Sequence, residues 1–132
     1  MEFTFLARWQ PQLLSILRIT TALLFFAHGT GKYFGFPQVD FFNDLQVASA
    51  SGIAGILELI GGALLIIGLF TRPVAFILSG MMAVAYFMVH APQSFHPIIN
   101  QGEGAILFCF IFLYIAAAGP GPWSVDAARA RA

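Results

Sequence analysis

A few polar and ionisable side chains interrupt long apolar stretches of this sequence, and their chemistry suits proton exchange or the binding of a polar ligand. Histidine and glutamate exchange protons when their surroundings tune them, and lysine and arginine stabilise anions. Such residues within membrane segments are costly and generally functional. Seven candidate ligand-binding or proton-handling residues follow: Arg18, His28, Lys32, Glu58, His90, Asn100 and Glu103.

Glu58 is the only ionisable residue in GILELIGGALLIIGLF, residues 55–70. Ser51, Gly55 and Gly62 lie at i−7, i−3 and i+4 from it, on the same helical face. Small residues mark close contacts between helices in membranes. The pattern therefore predicts that Glu58 points towards neighbouring helices rather than towards lipid.

Four further candidates fall in the same half of the predicted bundle as Glu58. With a helical rise of about 1.5 Å per residue, Glu58 and His28 each lie about 9 Å inside the same membrane surface. Lys32 is one turn above His28, Glu103 begins an apolar stretch at that surface, and His90 ends another. These positions predict a pocket lined by both signs of charge in the outer half of the bundle.

Arg18 lies nearer the opposite surface, although small residues share its helical face and its side chain is long. Pairing with an acid inside the membrane costs less than exposure to lipid. The sequence leaves open whether Glu58 pairs with Arg18, Lys32 or His28.

Each candidate also has a purely structural interpretation. Arg18 could fix helix register in an ion pair, and Lys32 could extend to the membrane interface. His90 stands next to a proline-containing loop. Glu103 suits the positive end of a helix dipole, and Asn100 suits a capping position.

The elements that position these residues are predicted to be membrane helices. Hydrophobic residues make up 59% of the 132 residues and charged residues 9%, against about 25% charged in soluble domains. The expected fold is all-α, a four-helix transmembrane bundle in one domain, 1–132, with a short surface helix or loop between the first two helices. The second and third helices are antiparallel neighbours because their predicted link, at 71–72, is so short. The expected spans are 12–34, 52–70, 73–91 and 103–118.

Composition excludes several classes of function. Six basic and six acidic residues cancel, which gives no electrostatic case for nucleic-acid binding. The single cysteine, Cys109, excludes a self-contained dithiol oxidoreductase. No haem or flavin motif is present, the different depths of His28 and His90 disfavour axial haem ligation, and no metal site is predicted.

The distribution of basic residues predicts the orientation. Arg8, Arg72, Arg129 and Arg131 fall on one side of the predicted bundle, and only Lys32 falls on the other. Basic residues are enriched on the cytoplasmic side. Both termini are therefore expected in the cytoplasm of a bacterium, with the chain in its inner membrane.

The order of several motifs resembles that of the DoxX family of small four-helix membrane proteins. The motifs are Arg18, HGTGKYFG (28–35), GILELIGGALLIIGLFTR (55–72), NQGEGA (100–105) and GPGPWSVD (119–126). The family takes its name from a subunit of a quinone-reducing thiosulfate oxidoreductase, and some relatives are linked to oxidative-stress or thiol-redox complexes. The resemblance implies a membrane subunit of a quinone-linked oxidoreductase rather than a stand-alone enzyme.

The leading hypothesis is a redox-associated protein that binds a quinone-like or other small molecule in the outer pocket. Its partners would be the lipid bilayer and either a soluble redox protein or further copies of the chain. Two alternatives stay open. One is a non-enzymatic anchor or assembly partner for a soluble redox or stress-response protein, and the other is a small oligomeric transporter.

Overall fold

The computed structural model describes residues 4–37 and 49–131, and in these ranges the chain is helical without strands. The all-α class is therefore confirmed. The expected surface helix or loop between the first two spans lies largely outside the described residues. The six α-helices are α1 (Gln10–Tyr33), α2 (Ala50–Ile67), α3 (Thr71–Ala85), α4 (Pro97–Asn100), α5 (Glu103–Ala118) and α6 (Val125–Arg131).

Three helical stretches within the described ranges are long and apolar enough to cross a membrane. They are Ala7–Tyr33, Ala50–Ile67 and Thr71–Gln93. The third continues α3 through a π-helical turn, Tyr86–His90, and a 3₁₀ turn, Ala91–Gln93. The apolar helix α5 is shorter, at 16 residues. Large apolar side chains cover the outer surfaces of these helices, as a lipid environment requires.

The buried core lies between the four helices α1, α2, α3 and α5. Phe25 of α1 packs edge-to-face on Phe112 of α5, with ring centroids 5.0 Å apart. Leu65 of α2 and Leu78 of α3 complete this buried cluster. The contact fixes the rotation of α1 and therefore the direction in which His28, one turn beyond Phe25, projects.

Glycines bring α1 and α2 unusually close together. A Cβ atom on Gly29 would lie 2.8 Å from Cγ of Leu59, and one on Gly62 would lie 3.0 Å from Cβ of Phe26. Any larger side chain at these positions would push the two helices apart. The close seam keeps the polar residues of α1 within reach of α2.

The link between α2 and α3 differs from the sequence-based expectation. It was expected at 71–72, but the helices are joined by residues 68–70, and Thr71-Arg72-Pro73 form the first turn of α3. Gly68 ends α2 in a left-handed conformation, with φ of 72°. Proline is compatible with the first helical turn, where its missing N–H would have no helical partner.

The C-terminal segment, residues 119–131, folds back onto this link. Asp126 accepts hydrogen bonds from the backbone N–H groups of Phe70 and Thr71, each at 2.9 Å. The backbone N–H of Asp126 donates to the Gly68 carbonyl at 2.9 Å. Asp126 therefore caps the N-terminus of α3, and α6 was not predicted from the sequence.

We expect the Asp126 cap to weaken in acid. Partial burial of Asp126 alone would raise its pKa, but hydrogen bonds from Thr71 and Phe70 and the nearby Arg129 charge outweigh it and lower the pKa. The folded-state pKa thus lies below the usual value of about 3.9. The stabilisation is complete above that value and is lost as pH falls through the folded-state pKa. In detergent unfolding experiments, the stability difference between wild type and Asp126→Asn should be constant near neutral pH and shrink below about pH 4. A difference that does not change with pH would contradict this role.

Candidate functional site

A cavity of about 230 Å³ lies where helices α1, α2, α3 and α5 approach one another, at the end of the molecule opposite the C-terminal segment. Three helical elements and the loop before α5 supply its polar side chains. The polar lining residues are His28, Glu58, His90 and Gln101, and the apolar ones are Phe25, Met82, Ala85, Gly104, Ala105 and Phe108.

Glu58 forms an ion pair with Lys32 beside this cavity. The Nζ atom of Lys32 lies 3.0 Å from Oε1 of Glu58, and both side chains are more than nine-tenths buried. Nζ also donates to the Ser51 carbonyl at 3.2 Å. Lys32 is therefore the basic partner that the sequence left open. The pair keeps a carboxylate inside an apolar helix without leaving its charge uncompensated.

His28 is an exposed residue of α1 that lines the cavity, and its tautomer is defined. Its Nδ1 atom lies 3.1 Å from the Leu24 carbonyl oxygen, one turn back on α1. A carbonyl only accepts hydrogen bonds, so Nδ1 carries the proton, and in the neutral ring Nε2 is an acceptor. The ring also meets Phe108 edge-on, with centroids 6.1 Å apart.

His90, at the end of the π-helical turn, is also hydrogen-bonded through Nδ1 to a backbone carbonyl. Its Nδ1 atom lies 2.9 Å from the Asn100 carbonyl oxygen, which again assigns the proton to Nδ1 and leaves Nε2 as an acceptor. The Tyr86 ring stacks on the imidazole at 6.2 Å. His90 ends the π-helical turn, a type of irregularity frequent at functional sites.

Asn100 holds the loop that orients His90. Its side chain is buried, and its Nδ2 atom donates to the Tyr86 hydroxyl at 3.1 Å and to the Ser94 carbonyl at 2.9 Å. Its Oδ1 atom accepts from the Gly102 N–H at 2.8 Å. These contacts use the amide within the protein, and they position the cavity wall beside His90.

Arg18 lies at the other end of the molecule, away from Glu58. Its Nε atom donates to the Leu65 carbonyl at 2.8 Å, and its Nη2 atom donates to the Trp123 carbonyl at 2.7 Å. Nη1 donates to the Pro120 carbonyl. The side chain is 1% exposed, so Arg18 joins α1 to α2 and to the C-terminal segment.

Glu103 also stands apart from the cavity. It is exposed in the first turn of α5, where a carboxylate interacts favourably with the helix dipole. The structure thus brings His28, Glu58 and His90 together, attaches Lys32 through its ion pair, and places Asn100 behind His90.

Sequence reasoning missed Gln101 and the aromatic walls of the cavity. Gln101 has a left-handed backbone, with φ of 60°, where the chain turns into α5. Its place inside the NQGEGA motif was an available signal. Phe25 and Phe108 could have been inferred from their spacing, because Phe25 is three residues before His28 on the same helix face.

Two other features of the described residues bear on ligand binding. Within residues 4–37 and 49–131, no three His, Cys, Asp or Glu side chains are grouped to hold a metal ion. A larger open groove of about 840 Å³ runs between α1 and α5 near the C-terminal segment. Its lining, which includes Leu13, Leu17 and Tyr114, contains no acid, base or imidazole.

Comparisons with known proteins identify a family for more than half of the chain. A family model described as DoxX matches residues 13–91. An uncharacterized protein of Haemophilus influenzae is 39% identical over 132 residues, covering 92% of this chain and 93% of the relative. A Bacillus subtilis protein named "Putative oxidoreductase CatD" is 35% identical over 81 residues, covering 58% of this chain and 60% of CatD. No solved structure matches the chain.

Proposed function

The chain belongs to the DoxX family, and on that premise we propose that it binds the aromatic ring of a quinone-type molecule in the cavity beside Glu58. The observation that carries this proposal is the convergence of His28, Glu58 and His90 on one small cavity with aromatic walls. Imidazole and carboxylate groups can hydrogen-bond to ring oxygens and exchange protons with them. Phe25 and Phe108 offer the faces and edges against which a planar ring packs.

The volume of the cavity supports a single ring. An apolar cavity of about 150 Å³ accepts benzene, whereas pockets for drug-sized ligands and cofactors span about 300–1,000 Å³. At about 230 Å³, this cavity suits a six-membered ring with oxygen substituents. An isoprenoid tail would leave along the exposed apolar helix surfaces into lipid.

The membrane arrangement is part of the same proposal. Helix α5 has 16 residues, about 24 Å at 1.5 Å per residue, against a hydrocarbon core of about 30 Å. A short span is accommodated by local thinning of the bilayer, so we place α5 across the membrane with α1, α2 and α3 as a four-helix bundle. The Arg-rich end then faces the cytoplasm of a bacterial inner membrane, and the cavity lies in the outer half.

A redox role for this chain would depend on a soluble redox protein that acts together with it. The name of CatD includes the word oxidoreductase, which supports a place in electron-transfer chemistry for this chain. With one cysteine, the chain would act as a membrane subunit that presents the ring to a soluble redox protein. A purely structural anchor would have no need for ring binding, so a ligand titration separates it from the proposed subunit. A transporter would instead show flux in liposomes that contain the purified protein.

Filling the cavity should weaken ring binding at least tenfold. Ala105 lines the cavity and Ala117 is an exposed residue on the same helix, so Ala105→Phe and Ala117→Phe form a matched pair. Calorimetric titration of short-chain ubiquinone and menaquinone analogues should give saturable binding to wild type and Ala117→Phe. Affinity for Ala105→Phe should fall at least tenfold, because the added ring occupies the ligand volume. Equal affinities for all three folded proteins, or no binding to wild type, would refute the proposal.

A further inference from the structure

The two histidines that line the cavity share a feature that nothing in the proposed function requires. Each imidazole gives its Nδ1 proton to a backbone carbonyl, at 3.1 Å from Leu24 for His28 and at 2.9 Å from Asn100 for His90. Main-chain oxygens cannot reverse these bonds, because they carry no proton. Both neutral rings are therefore held in one tautomer, with an unprotonated Nε2.

We infer that the cavity selects an aromatic diol, the reduced form of a quinone-type ring, because His28 and His90 offer it two hydrogen-bond acceptors. This inference rests on the proposed function and names the redox form that the same site prefers. A hydroquinone has two O–H donors on opposite sides of its ring, whereas the oxidised quinone has only carbonyl acceptors. Binding the quinone would place acceptor against acceptor at each neutral imidazole.

The other polar groups of the cavity agree with this preference. An ionised Glu58 is acceptor-only, and its Oε1 atom already faces Lys32 at 3.0 Å. The side-chain amide of Gln101 can donate, but a hydroxyl oxygen accepts from it as well as a carbonyl oxygen does. A donor at the cavity therefore does not favour the quinone, whereas the two Nε2 acceptors favour the diol.

The expected change in affinity for each ligand hydroxyl depends on the cost of leaving an Nε2 acceptor without a donor. In the empty cavity, water can reach the exposed His28 and the half-buried His90. A ring bound against them would exclude that water, so an Nε2 acceptor that receives no donor from the ligand costs more than the net value of the hydrogen bond. Sites built to bind a hydroxyl discriminate strongly against analogues that lack one. Each hydroxyl should therefore change the affinity about tenfold.

The test uses hydroquinone, 4-fluorophenol and 1,4-difluorobenzene, titrated anaerobically by calorimetry into the full-length protein in one detergent. Fluorine is close in size to a hydroxyl but cannot donate, so the series removes one donor at a time while the ring fits unchanged. Wild-type affinity should fall about tenfold at each step. His28→Phe, which keeps a ring next to Phe108, should lose one of the two steps. The matched control His96→Phe, at an exposed histidine outside the cavity lining, should keep both.

The outcomes separate this inference from the proposed function. Equal affinity of wild type for all three compounds would overturn the preference for the diol but leave ring binding intact. A full two-step series in His28→Phe would also overturn it. Failure of wild type to bind hydroquinone, the quinone analogues and difluorobenzene alike would overturn both proposals.

Discussion

Replacing Arg18 with methionine should lower the free energy of unfolding by about 3–5 kcal/mol and free the C-terminal segment. The guanidinium group donates to three carbonyl oxygens, those of Leu65, Pro120 and Trp123, and it is almost fully buried. Methionine fills a similar volume but donates nothing, so the three carbonyls lose their partner. An unsatisfied buried polar group costs about 1–3 kcal/mol, and the three losses are not additive.

Two measurements check the Arg18 prediction. Thermal unfolding in detergent, followed by circular dichroism, reports the stability loss. Limited trypsin digestion with intact-mass analysis reports release of the segment, because cleavage after Arg129 should become much faster. Arg8→Met is the matched control, since Arg8 is exposed in the turn before α1 and lies over the Trp9 ring. Unchanged melting and unchanged trypsin sensitivity in Arg18→Met would show that the carbonyl contacts do not hold the segment.

Removing Lys32 should destabilise the protein by a similar amount, and removing Glu58 as well should restore part of the loss. Lys32→Met leaves Glu58 buried without its counter-ion, which typically costs about 3–5 kcal/mol. In the double variant with Glu58→Gln, no uncompensated charge remains, and a neutral pair is often tolerated as well as a buried ion pair. We therefore expect the double variant to be more stable than Lys32→Met alone.

The measurement is a double-mutant cycle by unfolding in a single detergent. The control, Glu103→Gln, removes an exposed acid from the first turn of α5, and it should lower the melting temperature much less because only a helix-dipole interaction is lost. If the effects of Lys32→Met and Glu58→Gln simply add, the two residues are not energetically coupled and the ion pair does not organise the cavity.

The sequence was informative about the cavity because helical geometry converts spacing into depth and direction. Glu58 on a glycine-rich face and His28 at a matching depth were enough to predict that α1 and α2 share polar residues. Helical spacing alone could not show that Lys32 is the residue that pairs with Glu58. It depends on the rotation of α1, which the packing of Phe25 on Phe112 and the close approach at Gly29 set together.

Arg18 shows why the remaining contacts could not be predicted. Its partners are backbone carbonyls, and a carbonyl is present at every residue, so no residue type marks its position. Two of the three belong to the C-terminal segment, more than 100 residues away along the chain. That segment was recognised as a stop for a helix, but its return onto the ends of α1 and α2 depends on tertiary structure.

The orientation of His28 has an evolutionary consequence. The group that assigns its proton is the main-chain oxygen of Leu24, whose own side chain points outward and is 60% exposed. Position 24 is therefore free to drift among apolar residues while the imidazole keeps the same hydrogen-bonding character. In distant homologues, a search for a preserved acidic or polar neighbour would overlook this support, because the backbone provides it whatever residue is encoded there.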